Sequence, residues 1–132
     1  MKYLIIVFAM LLMSCGNQKE DSTATEVEPI PAKSITLWTD KTELFVEFPA
    51  LVVGESSRFA AHFTVLDKHK PVREGKVTVS LIKRDKGIRN TTESPSSPGI
   101  FSPSLQPKEA GNFKLIFDIK TPTFSDTLIV HD

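Results

Sequence analysis

Three histidines are the first residues of this sequence to consider for site chemistry, because neutral imidazole is the commonest metal ligand in proteins. His62 lies in the alternating segment Arg58–Leu66, His69 lies just before Pro71, and His131 is the penultimate residue. No two are spaced i, i+2 or i, i+4, the spacings that bring two imidazoles to one ion. We therefore predict no metal site and no cofactor. His62 and His69 are weak candidates, and each is expected to be solvated or hydrogen-bonded.

The one cysteine of the chain, Cys15, lies where an apolar run ends and a polar stretch begins. The apolar run Leu4–Met13 is too short to span about 30 Å of hydrocarbon and is typical of the h-region of a signal peptide. The residues around the cysteine, Leu12–Gly16, resemble the bacterial lipobox, with an apolar residue three positions before the cysteine and a small residue directly before it. We therefore expect a lipoprotein signal peptide over residues 1–14 and lipidation of Cys15, since stable anchoring needs more than one acyl chain. The alternative is a plain signal peptide with an unrelated cysteine.

Cleavage before Cys15 would also remove all three methionines, which precede it in the sequence. The mature chain would then offer neither free thiolate nor thioether, the ligands that Cu(I) prefers. The sequence therefore gives little support to a copper site.

Residues 15–33 are expected to form the lipidated cysteine and a flexible tether, because they are polar and rich in Ser, Thr, Glu and Pro. Gly16 stands where an inner-membrane retention signal has Asp, which in a Gram-negative cell favours the outer membrane and a domain facing the periplasm. Lys19-Glu20-Asp21 is similar to the tripeptide that directs some Bacteroidota lipoproteins to the cell surface. Surface exposure is therefore kept as an alternative.

No arrangement in the sequence is typical of a catalytic centre. The Ser-rich segment 94–99 is predicted to be a loop, and no G-x-S-x-G elbow or phosphate loop occurs. Glu43 and Glu47 lie beside apolar residues on a predicted strand and are expected on a solvated sheet face rather than as an acid–base pair. The 16 Lys+Arg balance the 16 Asp+Glu, and the basic cluster 83–86 has no interleaved aromatics. We predict a protein that is not an enzyme and does not bind nucleic acid.

The elements that position these residues are predicted to be all β, in an immunoglobulin-like sandwich of about seven strands over residues 34–132. The sequence predicts inward-facing alternate residues along three strands, 58–66, 76–82 and 113–119. Weaker strands are predicted at 34–39, 43–48, 99–104 and 125–130. No window of ten or more residues shows a helical period with caps. The chain has the length of a single domain and is too short for a multidomain enzyme.

Two further expectations concern packing. Without a cysteine pair, phenylalanines and branched aliphatic residues must form the core, and we expect Trp38 to pack near one end of it. Lysines flank two predicted strands, Lys76 and Lys83 on one and Lys114 and Lys120 on the other. This pattern predicts edge strands that are protected against unwanted pairing.

Two segments, 43–82 and 96–119, together resemble the N-terminal Ig-like domain of periplasmic adaptor subunits of RND-type efflux systems in Bacteroidota, of the membrane fusion protein family. The most specific parts are the strand Phe59–Thr64, the segment Glu74–Val79, and the phrases Ser97–Phe101 and Ala110–Phe113. The resemblance implies a non-catalytic, membrane-anchored lipoprotein domain that supports assembly of a tripartite efflux transporter. It also implies an RND pump and an outer-membrane channel as partners.

A full adaptor of that family continues with a barrel-sandwich domain, a helical hairpin, a β-barrel and a membrane-proximal domain. This sequence runs to Asp132, so both a truncated adaptor and an adaptor-type domain that acts alone stay open as interpretations. The alternative function is a stand-alone Ig-like lipoprotein that binds a ligand or a metal ion.

Overall fold

The computed structural model describes residues 28–131, and their regular structure is all β. The strands are β1 (Lys33–Trp38), β2 (Thr42–Phe48), β3 (Ser57–Arg58), β4 (Ala60–Val65), β5 (Lys70–Pro71), β6 (Lys76–Lys83), β7 (Lys86–Thr92), β8 (Ile100–Phe101), β9 (Ser104–Leu105), β10 (Lys114–Lys120) and β11 (Ser125–Val130). Four of these eleven are only two residues long, whereas the sequence predicted about seven strands. The predicted signal peptide, Cys15 and most of the tether lie outside the described residues.

The strands form two main antiparallel sheets. The first sheet has the order β1-β2-β4-β5, and β8 pairs with β4 as well. The second has the order β11-β10-β6-β7, and the short strands β3 and β9 form a separate ladder. The order of the second sheet is compatible with the G-F-C-C′ sheet of a variable-type immunoglobulin domain. The all-β prediction is confirmed, and the arrangement is consistent with a sandwich.

The core lies between the two sheets, where the inward side chains of each strand meet. Phe59 contacts Phe117 edge to face, with ring centroids 5.7 Å apart and planes at 76°. Phe63 and Phe101 form a second such pair at 6.0 Å and 88°, a geometry that aromatic rings favour. The inward residues predicted for the segments 58–66, 76–82 and 113–119 lie in this cluster, except that Val65 and Phe113 are only partly buried and pack against it.

Trp38 does not pack into the core; it is 63% exposed, so that expectation was wrong. The reason is the period of two along a strand. Ile35 and Leu37 of β1 pack against the core. Because side chains alternate between the two faces, Trp38 points to the outer face.

The lysine-flanked strands are not edge strands either. They are β6 and β10, which pair with each other in the middle of the second sheet, where Lys76 lies opposite Lys120. The prediction that these lysines protect an edge is therefore wrong. The outer strands of that sheet are β7 and β11.

The sequence analysis did not predict β7 as a strand. The run from Lys86 to Thr92 has one half-buried aliphatic side chain, Ile88, between mostly exposed polar residues. All seven of its residues pair with residues of β6. Backbone pairing to a strongly apolar neighbour, rather than its own side-chain pattern, makes this segment a strand.

We call the two ends of the sandwich proximal and distal, according to their distance from the start of β1. At the proximal end β1 begins at Lys33, opposite the last residue of β2, Phe48. At the distal end lie Trp38 and the turn that leads into β2. Residues that precede β1 therefore join the sandwich at the proximal end.

Candidate binding surfaces

The histidine candidates are not brought together with other metal ligands. His62 lies in β4 on the outer face of the first sheet, with Phe45 and Ile100 as its cross-strand neighbours, and its ring lies 5.7 Å from that of Phe45. His69 lies in the exposed turn after β4, in a left-handed conformation with φ of 49°. Within residues 28–131, no group of three or more His, Cys, Asp and Glu residues is arranged to hold a metal ion. Cys15 lies outside this range.

The two glutamates face outward from β2, as the alternation of buried and accessible residues along that strand shows. Glu43 lies opposite Trp38, and Glu47 lies opposite Ser34. The Trp38 Nε1–H donates a hydrogen bond of 2.8 Å to Oε2 of Glu43. This bond holds the exposed indole ring against the sheet instead of leaving it free to rotate.

We use the name tryptophan face for the outward side chains of β1, β2 and β4. They are Ser34, Thr36, Trp38, Glu43, Phe45, Glu47, Ala60, His62 and Thr64. The registers of β1 with β2 and of β2 with β4 run without interruption, so these side chains form regular cross-strand rows. The face carries two carboxylates and no lysine or arginine.

The outer face of the second sheet has the opposite charge. Lys114 and Lys120 point outward from β10, with Lys76 on β6 and Arg89 on β7. The carboxylate of Asp118 lies among them and accepts a 2.6 Å hydrogen bond from the Thr127 hydroxyl. The net charge of zero for the whole chain does not show that these two faces differ in sign.

A cavity of about 380 Å³ opens between the sheets at the proximal end. Its walls are mainly apolar and include Ile35, Phe48 and Leu115 from the strands and Leu51 from a loop. Its volume is within the range of small-molecule sites. No local sequence pattern predicts this cavity, because its walls come from both sheets.

Lys83 fastens the loop at residues 107–113, which covers one side of this cavity. Its Nζ donates to the carbonyl of Ala110 at 3.0 Å, lies 3.7 Å from a carboxylate oxygen of Glu109, and sits 5.4 Å from the centre of the Phe113 ring. The basic cluster 83–86 lies at the turn between β6 and β7. Lys83, which belongs to this cluster, therefore stabilises the loop at residues 107–113.

Comparison with known proteins identified no relative: no family model, no curated protein and no solved structure matches the chain. Among residues 28–131, no helix is long and apolar enough to cross a membrane.

Proposed function

We propose that this protein is a lipid-anchored, non-catalytic binding domain of the bacterial cell envelope, which helps to assemble a larger complex of the RND efflux type. The observation that carries the binding role is the exposed tryptophan. Trp38 is 63% exposed and yet fixed by its hydrogen bond to Glu43. Large, pre-oriented aromatic side chains of this kind are enriched among the residues that dominate protein–protein binding.

The position of the tether supports presentation of this surface. Residues before β1 join at Lys33, whereas Trp38 is five residues further along the same strand, about 17 Å away at about 3.4 Å per residue. An anchor at Cys15 would therefore attach at the proximal end and leave the distal end free. Trp38 would lie at the end that faces a partner.

Three carboxylates accept hydrogen bonds from neighbouring side chains, and these bonds support a non-catalytic role. Asp126 accepts hydrogen bonds from two threonine hydroxyls, Asp118 accepts one from Thr127, and Glu43 accepts one from Trp38. Each of these bonds positions a strand or a ring. The narrower assignment to an efflux adaptor is supported by the resemblance of residues 43–82 and 96–119 to the first domain of that family.

Anchoring is tested by replacing Cys15 with Ser in cells labelled with radioactive palmitate. The proposal expects label in the wild-type chain and none in Cys15→Ser, and it expects the matched variant Asn17→Ser to stay labelled. Palmitate label in Cys15→Ser, or its absence from the wild type, would overturn the lipid anchor.

The binding role is tested by a photo-crosslinking amino acid placed at Thr36, on the tryptophan face, or at Thr127, on the opposite sheet. We expect position 36 to yield an adduct whose mass spectrum identifies an RND pump or an outer-membrane channel, and position 127 to yield none. Equal adducts from both positions, or none from position 36, would contradict the proposal.

A stand-alone ligand-binding lipoprotein is the second candidate, and the proximal cavity of about 380 Å³ favours it. This function predicts that the chain takes up one fluorescent fatty acid per molecule. It also predicts that Ala50→Phe, which adds a ring to the cavity wall, reduces uptake strongly. The first candidate predicts no saturable uptake.

A further inference from the structure

We propose that the tryptophan face binds arginine side chains of a partner protein, with one guanidinium group stacked on the Trp38 ring and paired with Glu43. This inference rests on the proposed binding function and names the chemistry of the partner. The Trp38 ring is largely exposed, and its N–H edge is held by the hydrogen bond to Glu43.

The hydrogen bond between Trp38 and Glu43 determines what this pair can offer. The indole N–H is used within the pair, so the ring presents its π surface rather than a donor. Glu43 uses Oε2 for this bond, and Oε1 accepts no hydrogen bond from the part of the chain that the structure describes. A π surface beside a carboxylate with a free oxygen suits a planar cation.

Charge determines the class of partner. The tryptophan face carries Glu43 and Glu47 and has no cationic side chain of its own to neutralise them. Arginine fits this combination better than lysine, because guanidinium is planar, stacks on aromatic rings and donates several N–H bonds to a carboxylate. A compact ammonium group can pair with the carboxylate but cannot stack in the same way.

The spacing of the two carboxylates predicts the spacing of the arginines. Glu43 and Glu47 are four residues apart on one strand, or about 14 Å at about 3.4 Å per residue. Phe45 lies between them on the same face and contacts His62. An extended segment with arginine at its first and fifth positions and an apolar residue at its third would match the two charges and the aromatic centre.

The chain contains one tryptophan, so its intrinsic fluorescence reports on this surface alone. We would titrate the purified full-length chain in mild detergent with the peptide Arg-Ser-Leu-Ser-Arg, blocked at both termini. The expected result is a saturable change in emission. The same peptide with lysine for arginine should bind at least about fivefold more weakly.

Variants locate the binding by calorimetry, which does not need the tryptophan signal. Trp38→Ala and Glu43→Gln should each lower the affinity for the arginine peptide about tenfold, which is the effect of losing one cation–π contact or one paired charge. Asp118→Asn on the opposite face is the matched control and should leave binding unchanged. The exposure of Trp38 makes it a safe substitution, and an unchanged melting temperature verifies this.

Four results would overturn the inference. They are the absence of a saturable signal up to millimolar peptide, equal binding of a peptide with glutamate for arginine, equal loss in Asp118→Asn and Glu43→Gln, and a concentration-dependent dimer that hides Trp38 without peptide. The last would assign the face to a second copy of the chain. A Cys15→Ser chain that binds the peptide as well as the wild type would preserve this inference even if lipid anchoring fails.

Discussion

The hydroxyl of Thr42 donates a 2.6 Å hydrogen bond to Oδ2 of Asp126, which joins the first sheet to the second at the distal end. The same oxygen accepts a bond from the hydroxyl of Thr39, and Thr42 is completely buried. Lys41 adds a bond from its Nζ to the carbonyl of Ser125 at 3.1 Å. The β1–β2 turn, which follows Trp38 directly, is thereby fixed to the start of β11.

Replacing Asp126 with Ala should lower the free energy of unfolding by about 1–3 kcal/mol, because the buried Thr42 hydroxyl loses its acceptor. Urea denaturation measures this. Asp118→Ala is the matched control, since its bond to Thr127 is exposed, and it should change stability by only about 0.5 kcal/mol. Equal losses in the two variants would show that the distal network does not hold the sheets together.

Phe117→Ala should cost about 3–5 kcal/mol, the usual effect of removing a fully buried aromatic ring. It would remove the edge-to-face contact with Phe59 that crosses between the sheets. Phe113→Ala is the comparison and should cost clearly less, because Phe113 lies just before β10 and is only partly buried. If urea denaturation showed a smaller loss of unfolding free energy for Phe117→Ala than for Phe113→Ala, Phe117 would not be at the centre of the core.

Gly75→Ala should destabilise the protein more than Gly54→Ala. Both glycines have positive φ, 111° and 81°, and each substitution carries a backbone cost of about 1–2 kcal/mol. A Cβ at Gly75 would also collide with the backbone carbonyl of Lys120, whereas one at Gly54 would meet no atom within 4 Å. Equal melting temperatures of the two variants would contradict the close approach of this turn to the end of β10.

Trp38→Ala should leave the free energy of unfolding within about 0.5 kcal/mol of the wild type, because the side chain is largely exposed. The same change should weaken binding to the arginine peptide about tenfold. A loss of several kcal/mol in urea denaturation would assign Trp38 a structural role and remove the reason to regard it as a binding residue.

The sequence predicted the strands whose own side chains alternate, because their pattern is local. The segment Ser125–Val130 matches β11 to the residue, and the inward residues of β6 were all correct. The strand β7 was missed because its pairing depends on β6 rather than on its own residues. The sequence also contains the information that Trp38 faces outward, because Ile35 and Leu37 face inward and successive side chains alternate along a strand.

The candidate surfaces were harder to predict than the strands. Thr42 and Asp126 are 84 positions apart, and no local pattern pairs them. The tryptophan face exists only because β1, β2 and β4 are adjacent in one sheet, and the proximal cavity needs both sheets. These features depend on strand order, which hydrophobic periodicity does not specify.

The central claim, a domain held to a membrane through its first mature residue, is tested most directly by intact-mass and N-terminal fragment analysis of the protein purified from membranes. The account predicts a mature chain that begins at Cys15 and carries diacylglycerol on its sulfur and a further acyl chain on its amino group. An unmodified thiol at Cys15, in a chain that is cleaved elsewhere or still begins at Met1, would contradict it.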